Sequence, residues 1–130
     1  MRHFLLVTAP RLVLGLLFLV SAVDGFWWLA SGQHLIHPPV TEQGRVFEAA
    51  LQNSGFFWPL LKTVNLLGAL SLLLNIVPAF GLALLAPVMA VIVAFHLTIN
   101  TVGIPVALIL VLCGGLLAYA YRDRYAGMFR

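Results

Sequence analysis

The chain has 130 residues, of which 62% are hydrophobic and only 8% charged. Soluble domains run at about 45–50% apolar and about 25% charged, and with a mean hydropathy of +1.06 the composition excludes an ordinary water-soluble domain. The formal net charge of +3 does not signal nucleic acid, because the 7 Lys and Arg residues are dispersed and stand mostly at the ends of apolar runs, with no basic stripe or recognition motif.

At roughly 20 residues per crossing, this length suits an all-α membrane protein. We expect a four-transmembrane-helix antiparallel bundle forming a single domain, 1–130, with spans at about 11–29, 60–77, 80–99 and 105–121. Met1 to Ala9 reads as a short head carrying Arg2 and His3. Pro10 and Arg11 open the first apolar run, which Trp27 and Trp28 close, as aromatic rings do at a membrane–water interface. A basic start, a short apolar stretch and the small residues Val20 and Ala22 also resemble a signal peptide; the run is read here as the first span.

Ser31 to Gly55 is the long polar stretch, holding Gln33, His34, His37, Pro38, Pro39, Glu42, Arg45, Glu48, Gln52 and Asn53. Its two prolines exclude a helix around them. Val46, Phe47, Ala50 and Leu51 recur at helical spacing, which predicts a short amphipathic helix over Thr41–Leu51 lying on the bilayer surface. Phe56-Phe57-Trp58 brings the chain back to the interface, and Pro59 suits the first turn of span two. Asn75 and Pro78 end that span, and the short link makes spans two and three a hairpin. Span three carries Pro87 and a stripe of small residues, Ala86, Ala90 and Ala94, whose spacing allows close helix packing in lipid. Thr101 to Gly103 form a tight turn, and Pro105 starts span four, where Gly114, Gly115 and Ala118 offer a packing face. Cys113, the single cysteine, forms no intrachain disulfide and reads as a small buried hydrophobe.

Four spans put both termini on one side. That side collects Arg2, Arg11, Arg122, Arg124 and Arg130, so the positive-inside rule places the termini in the cytoplasm and the 31–58 loop outside. Tyr119, Tyr121 and Tyr125 then form an inner aromatic belt opposite Trp27, Trp28 and Trp58.

Polar side chains within apolar spans need partners or water, and by default they mark a functional site. Asp24, Lys62, Asn65, His96 and Asn100 are such residues. With this topology and a rise of 1.5 Å per residue, all five lie within roughly 10 Å of the outer face and could share one pocket between three helices. Asp24 and His96 are the candidate catalytic residues, an acid and an imidazole able to titrate near neutrality. Lys62, Asn65 and Asn100 are candidate cofactor-binding groups. Structural alternatives stand beside each: Lys62 snorkelling to headgroups or bridging to Asp24, His96 as a hydrogen-bonded packing residue, and the asparagines as interhelical hydrogen-bonding groups. His34 and His37 could pair on a metal but lack a clear third ligand, and no metal site is assigned. No phosphate loop, nucleophile elbow or paired-histidine metalloprotease motif occurs.

The first span, Arg11-x-x-x-Gly15-x-x-Phe18-x-x-Ser21-Ala22-x-Asp24-Gly25-Phe26, resembles the opening signature of the DoxX-like family of small bacterial inner-membrane proteins. Pro59-Leu60-Leu61-Lys62-x-x-Asn65-x-x-Gly68 is similar to the family's second-span signature, and Phe95-His96-Leu97 and Tyr121-Arg122-Asp123 also match its pattern. The family usually has glycine where Ala22 stands and commonly glutamate where Asn65 stands; Asp24 could supply that carboxylate from span one, in which case Asp24 and Asn65 face one cavity. The resemblance implies a four-helix bundle in the bacterial inner (cytoplasmic) membrane and suggests oxidoreductase systems, with thiosulfate–quinone chemistry in some relatives.

Two functions follow. The first is a quinone-linked oxidoreductase subunit, with a quinone headgroup held near His96, Asp24 and Lys62. The alternative is a non-enzymatic membrane subunit or scaffold that binds an extracytoplasmic partner protein through the 31–58 loop. A solute or proton pathway is disfavoured, since the inner halves of the spans offer little polar lining beyond Ser71 and Asn75. The expected surroundings are the lipid bilayer and no nucleic acid; homo-oligomerisation is left open.

Overall fold

The computed structural model describes residues 2–36 and 39–129; His37 and Pro38 of the polar loop and the terminal Arg130 lie outside the described residues. Four helices are long and apolar enough to cross a membrane: Phe4–Ser31, Phe57–Leu74, Pro78–Thr98 and Thr101–Ala120. The described residues form helices and turns, with no strand.

Helix α1 (Ala9–Ser31) continues directly from a π-helical turn, Phe4–Thr8. The expected head is therefore helical, and Pro10 stands in the first turn of α1, directly after the π-helical turn. Proline has no N–H to donate and crowds the preceding turn; the wider turn before it, in which the Ala9 N–H bonds the Phe4 carbonyl, is the local form that accommodates this. Gly32, with φ of 76°, closes α1 in the left-handed conformation. The amphipathic pattern forms α2 (Glu42–Gln52), capped by Thr41, whose Oγ1 accepts from the Gly44 N–H at 3.0 Å.

Helix α3 (Phe57–Leu74) ends three residues short of the expected 77. Asn75 takes the left-handed conformation with φ of 56°, which asparagine tolerates better than most residues. Pro78 does not end α3; it opens α4 (Pro78–Thr98), where its missing N–H costs nothing. A 3₁₀ turn, Thr101–Gly103, leads to α5 (Ile104–Ala120), and a short α6 (Arg122–Tyr125) follows.

Helix α1 packs on α3 and α5, and α4 packs on the same two, so the four long helices close into a ring. Its core is built from Leu14, Phe18, Leu72, Leu82, Leu85 and Leu117. Side-chain contacts fix the antiparallel register of α1 and α3. At one end the Arg11 guanidinium donates to the carbonyls of Leu72 and Leu73, satisfying acceptors that the helix end leaves open. At the other, Trp58 Nε1 donates to the Gly25 carbonyl at 3.2 Å.

Three packing expectations change. Ala86, Ala90 and Ala94 are exposed on the outside of α4; the face that packs carries Gly81, Leu82, Leu85 and Met89. Here the small residue sits on the opposite helix, since Gly68 of α3 makes room for the Leu85 side chain. On α5, Gly114 accommodates Met89, whereas Gly115 faces open space. Neither expected aromatic belt is wholly a surface feature: Trp58 is 4% and Tyr121 8% exposed, and the Tyr125 hydroxyl donates to the Ala79 carbonyl at 2.6 Å.

A Cβ at position 68 would lie 2.3 Å from Cγ of Leu85, which is itself fully buried and cannot swing away. Gly68→Ala is expected to destabilise the bundle by about 1–3 kcal/mol, as overpacking does. Gly115→Ala meets nothing and should be neutral or stabilising by up to about 1 kcal/mol through helix propensity. Thermal unfolding of the two variants in one detergent compares them directly.

Candidate functional site

All five expected site residues stand at the end of the bundle that carries α2. They do not form one constellation. Two clusters result, one between α1 and α3 and one at the C-terminal end of α4.

In the first cluster the Asp24 carboxylate is saturated by the segment that follows α1. Its Oδ2 lies 2.7 Å from His34 Nδ1, and its Oδ1 accepts from the backbone N–H groups of Leu35 at 2.6 Å and Ile36 at 3.1 Å. These are charge-assisted bonds to an ionised acceptor, stronger than neutral ones. The far side of the His34 ring meets α2: Nε2 lies 3.0 Å from Glu48 Oε1 and 3.1 Å from Gln52 Nε2. The Trp28 and Trp58 rings flank the imidazole, with centroids 6.5 and 6.4 Å away.

One turn deeper, Lys62 lies across α1. It is only 7% exposed, so it does not snorkel. Its Nζ donates to Ser21 Oγ at 2.9 Å and sits 4.4 Å from the centroid of the Trp58 ring, a cation–π distance. The stem fits because position 25 is glycine: a Cβ there would come within 2.3 Å of Lys62 Cγ. The expected Asp24–Lys62 bridge is not formed; the carboxylates of Asp24 and Glu48 act on the ammonium through space. Asn65, 1% exposed, points its Nδ2 at the same Ser21 Oγ at 3.4 Å, while its Oδ1 is buried without a hydrogen-bond partner. Asp24 and Asn65 thus lie on either side of the Ser21 turn, with the Asp24 carboxylate turned away towards residues 34–36.

In the second cluster His96 Nδ1 lies 3.3 Å from both the carbonyl and the Nδ2 of Asn100. The ring packs over Gly103, where a Cβ would fall 2.1 Å from Nδ1. Asn100, 2% exposed, accepts the Thr41 N–H on its Oδ1 at 2.8 Å, and Thr41 Oγ1 donates to the Ile99 carbonyl at 2.8 Å. Phe47 and Phe95 stack at 5.3 Å. The start of α2 is therefore tied to the end of α4 by two hydrogen bonds and an aromatic contact. His96 is packed over Gly103 and hydrogen-bonded to Asn100.

Surface cavities of about 380 and 290 Å³ are lined, respectively, by Glu42, Val46, Phe47 and Ile99 and by the apolar ends of α3 and α4 around Leu70, Leu74 and Phe80. Asp24, Lys62, Asn65, His96 and Asn100 line neither. Among the described residues no group of three His, Cys, Asp or Glu is arranged to hold a metal ion, and His37 of the proposed metal pair lies outside them. The arrangement binds polar groups to one another and to the backbone of the inter-span segment.

Sequence reasoning overlooked Ser21, Thr41, Glu48 and Gln52 as partners. Signals existed for two of them: Ser21 is three residues before Asp24 and shares its helix face, and Thr41 directly precedes an amphipathic run, where an N-cap belongs. Glu48 and Gln52 are set against His34 by tertiary packing alone. No protein-family model, curated protein or solved structure matches this chain.

Because the two clusters use separate partners, they should respond separately. Asp24→Asn is expected to speed amide exchange at Leu35 and Ile36 by roughly tenfold, the effect of losing about one charge-assisted hydrogen bond, and to leave Thr41 unchanged. Asn100→Ala should do the reverse. Residue-resolved hydrogen exchange in lipid nanodiscs measures both.

Proposed function

We propose that this chain is a multi-pass membrane subunit whose buried polar residues hold the segment between the first two spans as a docking platform for a partner protein. The observation that carries this reading is the double anchorage of that segment: Asp24 of α1 grips residues 34–36, and Asn100 with the Ile99 carbonyl grips Thr41 at the start of α2. Groups engaged in this way are poorly placed to turn over a substrate, and they are well placed to hold a surface rigid. The platform offers apolar side chains, with Val46 at 58% and Phe56 at 65% exposure, next to the charged Glu42–Arg45 pair. There the Arg45 guanidinium beside Glu42 keeps its carboxyl below the usual carboxylate range. The distribution of basic residues under the positive-inside rule supports an outward-facing platform, and the resemblance to the DoxX-like family supports a bacterial inner membrane as its location.

A second reading rests on the second-span resemblance to the DoxX-like family and on one feature of the site. The buried Asn65 Oδ1 lacks a donor and lies beside the buried Lys62 on the shared Ser21, a polar spot that suits the headgroup of a quinone or quinol in a quinone-linked oxidoreductase subunit. The asparagine supplies an acceptor for a quinol hydroxyl and the lysine a donor for a quinone carbonyl. In this reading Asp24 stands in for the carboxylate that relatives carry at position 65.

Photo-crosslinking in cells separates the two. With a benzophenone side chain at Val46 or Phe56, the platform reading predicts a discrete crosslinked protein that is absent with the probe at lipid-facing Leu108, and a yield several-fold lower in the Asp24→Asn, Asn100→Ala double variant. Crosslinks to lipid alone would sink it. The quinone reading predicts co-purification of quinone with the wild-type chain, measured by mass spectrometry of lipid extracts, and its loss in Lys62→Met.

A further inference from the structure

We propose that the end of the bundle away from α2 binds the phosphate of an anionic phospholipid between Arg11, Tyr121 and Arg124. The inference goes beyond the docking and quinone readings and depends on neither, because its residues stand at the opposite end of the long helices.

Donors from α1, from the α5–α6 junction and from α6 gather there. Arg11 uses one nitrogen on the end of α3, where Nη1 donates to the Leu72 and Leu73 carbonyls. A guanidinium carries its N–H groups in a planar fork, so the edge formed by Nε and Nη2 is left over. Tyr121, between α5 and α6, is only 8% exposed and buries its hydroxyl without a hydrogen-bond partner. Its neighbour one turn on differs, since the Tyr125 hydroxyl donates to the Ala79 carbonyl at 2.6 Å. The exposed Arg124 places its guanidinium carbon 6.0 Å from the centroid of the Tyr121 ring. The charges of Arg11 and Arg124 both act on the Tyr121 hydroxyl through space, so the three groups share one locality.

The chemistry of the set selects the ligand. Arginine only donates, and two cations beside a hydroxyl favour a negative acceptor over a neutral one. The chain's own acids do not supply it: Asp24, Glu42 and Glu48 stand at the α2 end. Asp123, next to Arg124 in sequence, is exposed and pairs with neither arginine. A phosphodiester offers two unesterified oxygens that take several hydrogen bonds at once. They match the Arg11 fork in the bidentate arrangement that arginine favours and accept the Tyr121 hydroxyl proton. Arg124 supplies the second positive charge, and its turn from the ring towards the phosphate opens the path to that hydroxyl.

Depth and surroundings make the phosphate a lipid's. Arg11 stands level with the end of α3, and beyond it Leu12, Val13 and Leu16 face outward. They form apolar surface along which the acyl chains of the same molecule run. Basic clusters between helices at a membrane face are where anionic headgroups bind. The headgroup carries no amine, because an ammonium beside two guanidiniums would meet like charge. Phosphatidylglycerol meets this condition and phosphatidylcholine does not. Bound here, the phosphate bridges α1 to the α5–α6 junction.

The test uses the full chain, delipidated in a non-ionic detergent and titrated with phosphatidylglycerol, phosphatidylcholine or inorganic phosphate. Native mass spectrometry reads binding, and thermal unfolding reads stability. The wild type is expected to hold phosphatidylglycerol several-fold more tightly than phosphatidylcholine and to unfold at a higher temperature with it. Tyr121→Phe should weaken phosphatidylglycerol binding by roughly tenfold, the effect of one hydrogen bond to a charged group. Without lipid the same variant should be no less stable than the wild type, since the hydroxyl has no internal partner to lose. Arg124→Gln should also weaken binding several-fold. Arg122→Gln removes the same charge from an arginine stacked on Tyr119 and should leave binding unchanged. Equal losses in the two arginine variants would reduce the effect to general surface charge and overturn the site. Undiminished binding by Tyr121→Phe, its destabilisation without lipid, or equal retention of the two lipids would do the same. Stabilisation by inorganic phosphate as strong as by phosphatidylglycerol would assign the position to a free ion and overturn the lipid.

Discussion

A carboxylate, an ammonium and two amides sit in or at the ends of helices that otherwise expose hydrocarbon, and the bilayer offers them no water. Each has to find its hydrogen bonds inside the protein. Asp24 shows what this requirement does to the fold. Too short to reach beyond its helix end, it draws the following segment back over itself and takes two backbone N–H groups and a histidine as partners. The segment between the first two spans is not an arbitrary connection; its start is shaped by the solvation of one acid.

The same constraint operates at the other attachment point with different chemistry. Asn100 follows the last turn of α4, and its amide oxygen accepts from the first backbone N–H group of the α2 cap. Thr41 returns a hydroxyl proton to the open Ile99 carbonyl, so two helix ends satisfy one another. Between these anchors the amphipathic α2 lies with Phe47 against Phe95 and Val46 outward. Lys62 and Asn65, deeper in the bundle, converge on Ser21 and seal α1 against α3. Polar residues that suggest chemistry when seen one at a time are here engaged in interhelical and helix-to-loop hydrogen bonds, and the Asn65 oxygen is buried without a donor.

Much of the architecture was legible because lipid makes simple demands. Four apolar runs of sufficient length, the hairpin at 75–77 and the amphipathic pattern of α2 all follow from periodicity and turn chemistry. The inward faces were harder. In lipid, packing is decided by shape and not by polarity, and a stripe of alanines on α4 looked as good a contact as Gly68 on α3. Only the paired surfaces show that Leu85 needs a glycine opposite and that the alanines face outward. The buried positions of Trp58 and Tyr121 were hidden for a similar reason: an aromatic residue near a span end suits an interface or a bundle interior equally well until neighbours are known.

For the site, the chain's own sequence determined which polar residues are trapped in apolar surroundings and at which end of the bundle they stand, because helix rise and span order fix depth. It did not determine who meets whom. Depth is a one-dimensional coordinate, and partnership depends on the rotation of each helix about its axis and on the path of the polar segment, both set by contacts distant in sequence. Tertiary structure therefore divided the expected single pocket into two clusters, moved Lys62 from Asp24 to Ser21, and placed His34 between carboxylates from α1 and α2. That last contact joins residues 10 positions apart on one side and on two separate helices overall. No local pattern encodes it, because it exists only once α2 has docked.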